Sequence, residues 1–105
     1  MKRVHKNEIT EWVGSNGKRH RINGPAIEGS NGTEKWCING ILHRLNGPAV
    51  IANISKFYVR KSRFLNDNRH NINGPAIQHT NGAKFWYIND IKYSETDYKR
   101  ILKLP

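Results

Sequence analysis

Short runs of strand-forming residues alternate with Asn-Gly pairs along most of the chain. Residues 33–38 and 83–88 both contain Trp and Ile, and an Asn-Gly pair lies just before each run. Asn-Gly accepts the positive φ angles of a type I′ turn, whose twist matches that of antiparallel strands. Because the runs are only five or six residues long, strands fit them better than helices do. The predicted strands are residues 8–13, 25–29, 33–38, 48–53, 56–65 (long and bulged), 75–79 and 83–88.

The chain also contains an internal repeat. The string Asn-Gly-Pro-Ala begins at Asn23, Asn46 and Asn73, and a histidine stands three residues before each of these asparagines. A shift of 50 residues superposes the segment from Asn23 on the segment from Asn73, and it aligns Trp36 with Trp86 without a gap. The middle unit lacks an aligned Trp, and Phe57 or Tyr58 stands nearest to that position. The sequence therefore predicts one domain (1–105) with a partial repeat (8–22) and three repeats (23–45, 46–72 and 73–93).

The number of strands in each repeat follows from chain direction. Three strands would reverse the chain at every unit, whereas two let each unit meet the next through the same interface. Residues 39–47 are therefore predicted to form a compact loop between units. The recurrence of Gly24, Gly47 and Gly74 before proline predicts a local geometry that tolerates no larger residue. The predicted fold is an all-β antiparallel meander of about seven strands.

The C-terminal segment differs from the repeats and predicts one short capping helix at residues 94–104. Ser94 is a favourable N-cap residue, and acidic residues follow it in the first turn while basic residues come later. This order complements the helix dipole. Tyr98, Ile101 and Leu102 share one face at helical spacing.

The charge balance predicts an acidic partner. The chain has 18 Lys and Arg against 8 Asp and Glu, which gives a net charge of +10. Between Lys35 and Asn89 there are eight basic residues and a single acidic one, Asp67. Such a surface suits nucleic acid, a charged nucleotide or an acidic protein. With only 36% hydrophobic residues, neither a thick core nor a large enclosed active site is expected.

The side chains that could perform chemistry do not converge. His20, His43 and His70 occupy equivalent positions, about 9.6 Å apart at two strand steps, so they cannot share one zinc ion. Each is expected instead to hydrogen-bond the backbone of its own loop. Cys37 has no CxxC partner, and the glycines belong to turns rather than to a phosphate loop. We therefore expect no catalytic residue, no metal and no cofactor, and a protein that is not an enzyme.

The middle repeat carries about four extra residues, and this insertion is the first candidate for a contact site. Basic and aromatic side chains alternate there, and arginine suits bidentate contact with phosphate or carboxylate. A longer solvated strand edge would explain the insertion equally well. The candidate patch consists of Lys56, Tyr58, Arg60, Lys61, Arg63 and Phe64. A second basic candidate consists of Lys18, Arg19 and Arg21.

The repeat resembles a known family. The pattern aromatic-x-Ile-Asn-Gly-x-x-His-Arg-x-Asn-Gly-Pro-Ala, together with the closing Ser-Glu-x-x-Tyr, is similar to the variant MORN-type repeat of phage and large-virus proteins. The resemblance covers residues 12–99 and implies a binding scaffold. The sequence departs from the family pattern at three places. Asn71 replaces Arg, Asp90 replaces Gly, and residues 93–94 replace His-Arg.

These observations lead to one functional hypothesis and two alternatives. We expect a non-enzymatic phage-type accessory protein, for example an anti-CRISPR-like inhibitor, that docks its basic surface on an acidic host protein or nucleoprotein. The alternatives are direct DNA or RNA binding and a sponge for a charged signalling nucleotide. No apolar stretch follows the basic start at residues 1–8, so we expect no signal peptide and no membrane partner. The expected location is the cytoplasm. The oligomeric state is left open.

Overall fold

A computed structural model describes residues 2–104, and within this range the chain forms thirteen strands and one helix. Nine strands make one antiparallel sheet in the order β1-β2-β3-β4-β7-β8-β11-β12-β13, and two further pairs, β5–β6 and β9–β10, form short hairpins. The result is a slab of 45 × 33 × 17 Å, which confirms the all-β meander with a C-terminal helix. The elements are β1 (Lys2–Lys6), β2 (Ile9–Val13), β3 (Ile27–Gly29), β4 (Glu34–Lys35), β5 (Cys37–Ile38), β6 (Ile41–Leu42), β7 (Val50–Ser55), β8 (Tyr58–Ser62), β9 (Phe64–Leu65), β10 (Asn68–Arg69), β11 (Ile77–His79), β12 (Lys84–Ile88), β13 (Ile91–Tyr93) and α1 (Glu95–Leu102).

The first two full repeats each contribute two strands to the large sheet, as the argument from chain direction predicts, and the last repeat contributes three, because β13 pairs with β12. The segment 39–47, however, is not wholly a loop. Asn39 and Gly40 form a two-residue turn with φ angles of 50° and 80°, and Ile41–Leu42 then pairs back onto Cys37–Ile38. The short returning strand lies beside the large sheet, so it does not change the direction in which successive units stack.

The strand β1 was not predicted. It pairs with β2 over five residues through a turn at Asn7 and Glu8, both of which have positive φ. All five residues of Lys2–Lys6 are exposed and four of them are basic or His. Because no side of this edge strand is buried, its sequence carries no hydrophobic alternation to reveal it. Its charge is typical of an edge that avoids pairing with itself.

The insertion in the middle unit lengthens a hairpin instead of extending a single strand over 56–65. In the first repeat, Gly29 and Thr33 enclose the three residues 30–32. In the middle repeat, the equivalent residues Ala52 and Arg60 enclose the seven residues 53–59. Ser55 pairs with Tyr58, so Lys56 and Phe57 form the tip. The predicted strand 56–65 crosses these two residues because no Asn-Gly pair or glycine marks the turn.

A stacked arginine holds the loop between two units together. The guanidinium of Arg44 lies 3.7 Å from the ring centroid of Trp36, and its Nη1 donates to the carbonyl oxygen of Pro48 at 3.1 Å. A Cβ atom on Gly47 would lie 2.9 Å from the Arg44 Cζ atom, closer than real contacts allow. The glycine is therefore required by the arginine that packs on it. The preceding unit repeats the arrangement with Trp12, Arg21, Gly24 and Pro25.

The middle unit changes both partners of this contact. Arg63 takes the tryptophan position, because its N–H donates to Ala76 as those of Trp12 and Trp36 donate to Ala26 and Ala49. The expectation that Phe57 or Tyr58 stands there is wrong, since both lie in the lengthened hairpin. Asn71 takes the arginine position and donates to the carbonyl of Pro75 at 3.0 Å. Gly74, unlike Gly24 and Gly47, is constrained by a positive φ of 151°.

The histidines connect neighbouring units, which differs from the expected bond within each loop. The Nδ1 atoms of His20, His43 and His70 accept backbone N–H groups from the turn of the following unit, namely those of Asn39, Asn66 and Asn89, at 2.9 to 3.1 Å. Because Nδ1 accepts, the ring proton of each histidine resides on Nε2. Each histidine is therefore bonded to the turn of the unit that follows its own along the chain.

The helix α1 closes the last unit as predicted. Ser94 caps it, with its hydroxyl accepting the N–H of Asp97 at 3.1 Å. Tyr98 is buried, donates its hydroxyl proton to the carbonyl of Asn71 at 2.5 Å, and accepts the N–H of Gly74 at 3.1 Å. In the part of the chain that the structure describes, no helix has the length and hydropathy needed to cross a bilayer.

We expect Gly47→Ala to lower the free energy of unfolding by about 1–3 kcal/mol, because the new methyl group collides with the Arg44 guanidinium. Urea denaturation measures the change. In an Arg44→Ala background the same substitution should cost much less, since the colliding group is gone. An equal cost in both backgrounds would show that the backbone, and not the arginine, imposes the glycine.

We expect Tyr98→Phe to lower the free energy of unfolding by about 1–3 kcal/mol, because it leaves two backbone groups without their hydrogen-bond partner. Thermal denaturation followed by circular dichroism measures it. Tyr93→Phe, on the adjacent strand β13, is the control. Equal stability of the two variants would contradict the anchoring role of Tyr98.

Candidate functional site

One face of the sheet carries an open groove of about 780 Å³, which we call the basic groove. It runs across the middle of the sheet, from β3 and β4 to β12. Its apolar floor is formed by side chains from four strands of the large sheet, β3, β7, β11 and β12, and from the short strand β9. They are Ile27, Val50, Ile77, Phe64, Phe85 and Tyr87.

The strand register explains why these side chains share a face. Ile77 pairs with both Ser62 and Phe85, and directly opposed residues point to the same side of a sheet. Val50 pairs with Ser62 in turn, which brings the middle hairpin into the same row. Residues one step along each strand point to the other side. Every second residue of each strand therefore faces the groove.

Four cations line this groove. They are Arg19, Lys35, Arg60 and Lys92, and no aspartate or glutamate is among the described residues that line it. Arg19 is paired with Glu11 at 3.1 Å, at one end. Within residues 2–104 no salt bridge neutralises the other three. The groove thus presents an apolar floor with uncompensated positive charge around it.

The patch predicted from the insertion is divided between the two faces. Arg60 and Phe64 line the groove, and the hydroxyl of Tyr58 bonds Nδ1 of His79, another groove residue. Lys61 and Arg63 belong to the opposite face, because they alternate with Arg60 and Ser62 along the strand. Lys56 lies at the hairpin tip beside the ring of Phe57.

The second predicted cluster is also divided. Arg19 lines the groove, whereas Arg21 packs on Trp12 at 4.4 Å and pairs with Glu28 at 2.6 Å on the other face. Lys18 is exposed. Adjacent basic residues in the sequence therefore do not form one contact surface here, because alternation separates them.

Several groove residues were not predicted from the sequence. Lys35, Cys37, Phe85 and Tyr87 lie in predicted strands, but which face they share depends on a pairing register that the sequence alone does not supply. Lys92 lies on the unpredicted strand β13. A usable signal existed for the first four, since the 50-residue shift aligns Lys35 with Phe85 and Cys37 with Tyr87.

Most aromatic rings near the groove are already covered by the chain's own side chains. The Lys92 ammonium lies 4.7 Å from the Phe85 centroid, and the His79 ring meets Phe85 edge-on at 5.7 Å. Tyr87 is buried, with the Arg69 guanidinium 4.4 Å from its centroid. These rings are poorly placed to stack on a nucleobase.

Arg69 is itself held in place and is not available to a partner. Its Nε donates to the carboxylate of Asp90 at 2.6 Å, and this hydrogen bond holds the pKa of Asp90 below its usual range. The same bond raises the pKa of Arg69. Asp90 replaces the turn glycine of the repeat, so the departure from the repeat pattern supplies the anion that positions Arg69 over Tyr87.

Cys37 lies in the groove but is 4% exposed. Burial raises the pKa of its thiol, and nearby Arg19 opposes this only in part. The thiol is therefore mostly protonated near neutral pH, a state that neither attacks electrophiles nor binds metals well. Among residues 2–104 no group of three or more His, Cys, Asp or Glu side chains could hold a metal ion.

Comparison of this chain with models of protein families, with curated proteins and with solved structures finds no match.

We expect Cys37 to react with iodoacetamide at pH 7.5 at least about tenfold more slowly in the folded protein than in urea, because burial limits both access and thiolate formation. Mass spectrometry of timed aliquots measures the rates. The same cysteine in the unfolded chain is the control, with free cysteine in both buffers correcting for urea. Equal corrected rates would place the thiol at the surface.

Proposed function

We propose that this protein is a non-enzymatic binding module whose basic groove receives an acidic, partly apolar segment of a partner protein. The observation that carries the proposal is the combination of an apolar floor with Lys35, Arg60 and Lys92, three cations that no carboxylate neutralises within the described residues. Apolar side chains of the partner would contact the floor, while its carboxylates would pair with these cations.

The covered rings favour a protein over single-stranded nucleic acid. Proteins that bind single strands combine a basic channel with aromatic faces on which the bases stack. Here Phe85 and Tyr87 are flanked by Lys92, His79 and Arg69, so a base would have to displace these groups. Aliphatic floor residues such as Ile27 and Val50 suit the apolar side chains of a polypeptide better than they suit bases.

The resemblance to MORN-type repeats of phage proteins extends the proposal. It supports a MORN-type scaffold that acts in the host cytoplasm as a phage-type inhibitor, anti-CRISPR-like in its mode of action. The partner would then be an acidic host protein, or the acidic protein surface of a nucleoprotein. Nucleic acid itself, which the experiment below separates from this reading, and a charged nucleotide are the alternatives.

The decisive test compares two variants that remove equal charge from opposite faces. Arg60→Ala with Lys92→Ala removes two of the four cations that line the groove. Lys61→Ala with Lys84→Ala removes two cations from the other face, where both lysines flank Gln78. We expect the groove variant to bind the partner at least tenfold more weakly, about 1.4 kcal/mol, and the control to bind as the wild type does. The partner is captured from nuclease-treated bacterial lysate, and its affinity is then measured by calorimetry.

Two results would contradict this proposal. Equal weakening by both variants would mean that net charge, and not the groove, drives binding. Retention of a partner only when nucleic acid is left intact, with salt-dependent binding of a labelled single-stranded oligonucleotide, would favour the nucleic-acid alternative. Arg63 is omitted from the variants because it occupies a packing position in the repeat, so its loss would confuse stability with binding.

A further inference from the structure

The face opposite the basic groove carries a row of exposed aliphatic side chains. Ile22, Leu45 and Ile72 are 67%, 72% and 55% exposed and occupy equivalent positions, each immediately before an Asn-Gly-Pro-Ala string. A single exposed aliphatic residue needs no explanation. Three at the same position of three successive units form a regular feature of this surface, and two cavities lie between them.

The two cavities are successive copies of one site. The first, about 600 Å³, lies between Ile22 and Leu45, and the second, about 220 Å³, lies between Leu45 and Ile72. Every lining position of the first except Asn23 has its equivalent in the second, one unit further along. The first is lined by Arg21, Ile22, Trp36, Ile38, Arg44 and Leu45. The corresponding residues of the second are Arg44, Leu45, Arg63, Leu65, Asn71 and Ile72.

The third copy of this site is where the chain places its own helix. A shift of 50 residues from the first copy leads to Asn71, Ile72, Trp86 and Ile88, and then to residues 94–95, where α1 begins. The helix packs against β12 and β13, and Tyr98 hydrogen-bonds both Asn71 and Gly74. The repeat surface thus accepts a helix beside this position, while Ile72 itself stays 55% exposed.

The open first copy differs from the filled third copy in charge. Asn71 and Ser94 in the third copy correspond to Arg21 and Arg44 in the first. Arg21 is paired with Glu28, but no salt bridge within residues 2–104 neutralises Arg44. The helix α1, which packs beside a copy that lacks both arginines, has two acidic and two basic residues. A helix that complements the first copy would carry an excess of acid.

We infer that the first cavity, together with Ile22 and Leu45, is a docking groove for an acidic amphipathic helix of a partner protein; we call it the helix groove. Ile22 and Leu45 are two strands apart, about 9.6 Å. Apolar residues seven apart on one helix face are separated by about 10.5 Å, so a two-turn helix spans the groove. This surface lies on the face opposite the basic groove. The proposal does not depend on the function proposed for the basic groove.

The probe is a labelled synthetic peptide with the sequence of residues 94–104 in which Lys99, Arg100 and Lys103 are replaced by Glu. A hydrocarbon staple across two outward positions keeps it helical, because so short a helix is marginal in water. We expect saturable binding to the full chain by fluorescence anisotropy. Methyl resonances of Ile22 and Leu45 should shift more than that of Ile91, which is remote from the groove.

Leu45→Asp should weaken binding of this peptide at least tenfold. Ile54→Asp is the matched control, since Ile54 is also exposed and lies at the lengthened hairpin; it should bind as the wild type does. The basic-groove variant Arg60→Ala with Lys92→Ala should bind as the wild type does too, which separates this test from that of the proposed function. Thermal melts of all variants confirm that they are folded.

Three results would overturn the inference. One is the absence of saturable binding at any accessible peptide concentration. Another is equal weakening by Leu45→Asp and Ile54→Asp. The last is a concentration-dependent dimer in sedimentation experiments that Leu45→Asp abolishes, which would assign the groove to a second copy of this chain instead of a partner helix.

Discussion

The arginine that lies between a tryptophan ring and a glycine is the contact on which the repeat depends. A cation over an indole contributes about 0.5–2 kcal/mol, and the Arg44 guanidinium also satisfies the carbonyl of Pro48. Because this planar group fills the space above Gly47, a larger residue there would have to displace the guanidinium from the tryptophan. The aliphatic residue that follows the arginine is left outside the packed contact and exposed. This interaction therefore accounts for Gly24 and Gly47 and for the exposure of Ile22 and Leu45. At the next loop Asn71 replaces the arginine, and Ile72 is exposed there as well.

A slab only 17 Å thick has little interior, and this determines how the molecule is stabilised and what it offers to partners. Its fully buried residues are small, with Ala26, Ala49 and Ala76 forming a row, while larger side chains are shared between packing and surface. Histidines bonded to the next unit add links between repeats. Since both faces of a single layer remain accessible, one domain can carry two separate binding surfaces, one charged and one aliphatic.

Features set by local chemistry were predictable from the sequence, whereas features set by pairing were not. The capping helix follows from Ser94 and the charge order after it, and the two strands per repeat follow from chain direction. The face on which Lys61 or Arg60 lies depends on register, which no local pattern of polar residues in this thin sheet specifies. The partner of His43 lies one unit away, and the exchange of Trp for Arg63 is visible only in the hydrogen bonds. The predicted contact patch is therefore divided between the two faces of the sheet.

The lengthened hairpin of the middle unit has a consequence for how this scaffold can vary. All four additional residues lie beyond the pair formed by Ala52 and Arg60, and the pairs below it keep the register of the neighbouring units. Loops on both sides brace its base, through Asn31 and Thr80, and leave Ile54 and Phe57 free. The tip is thus a segment whose length and composition can change without disturbing either binding surface. Sequences that share this scaffold could diverge there first, and foreign peptides could be inserted there with the least effect on the fold.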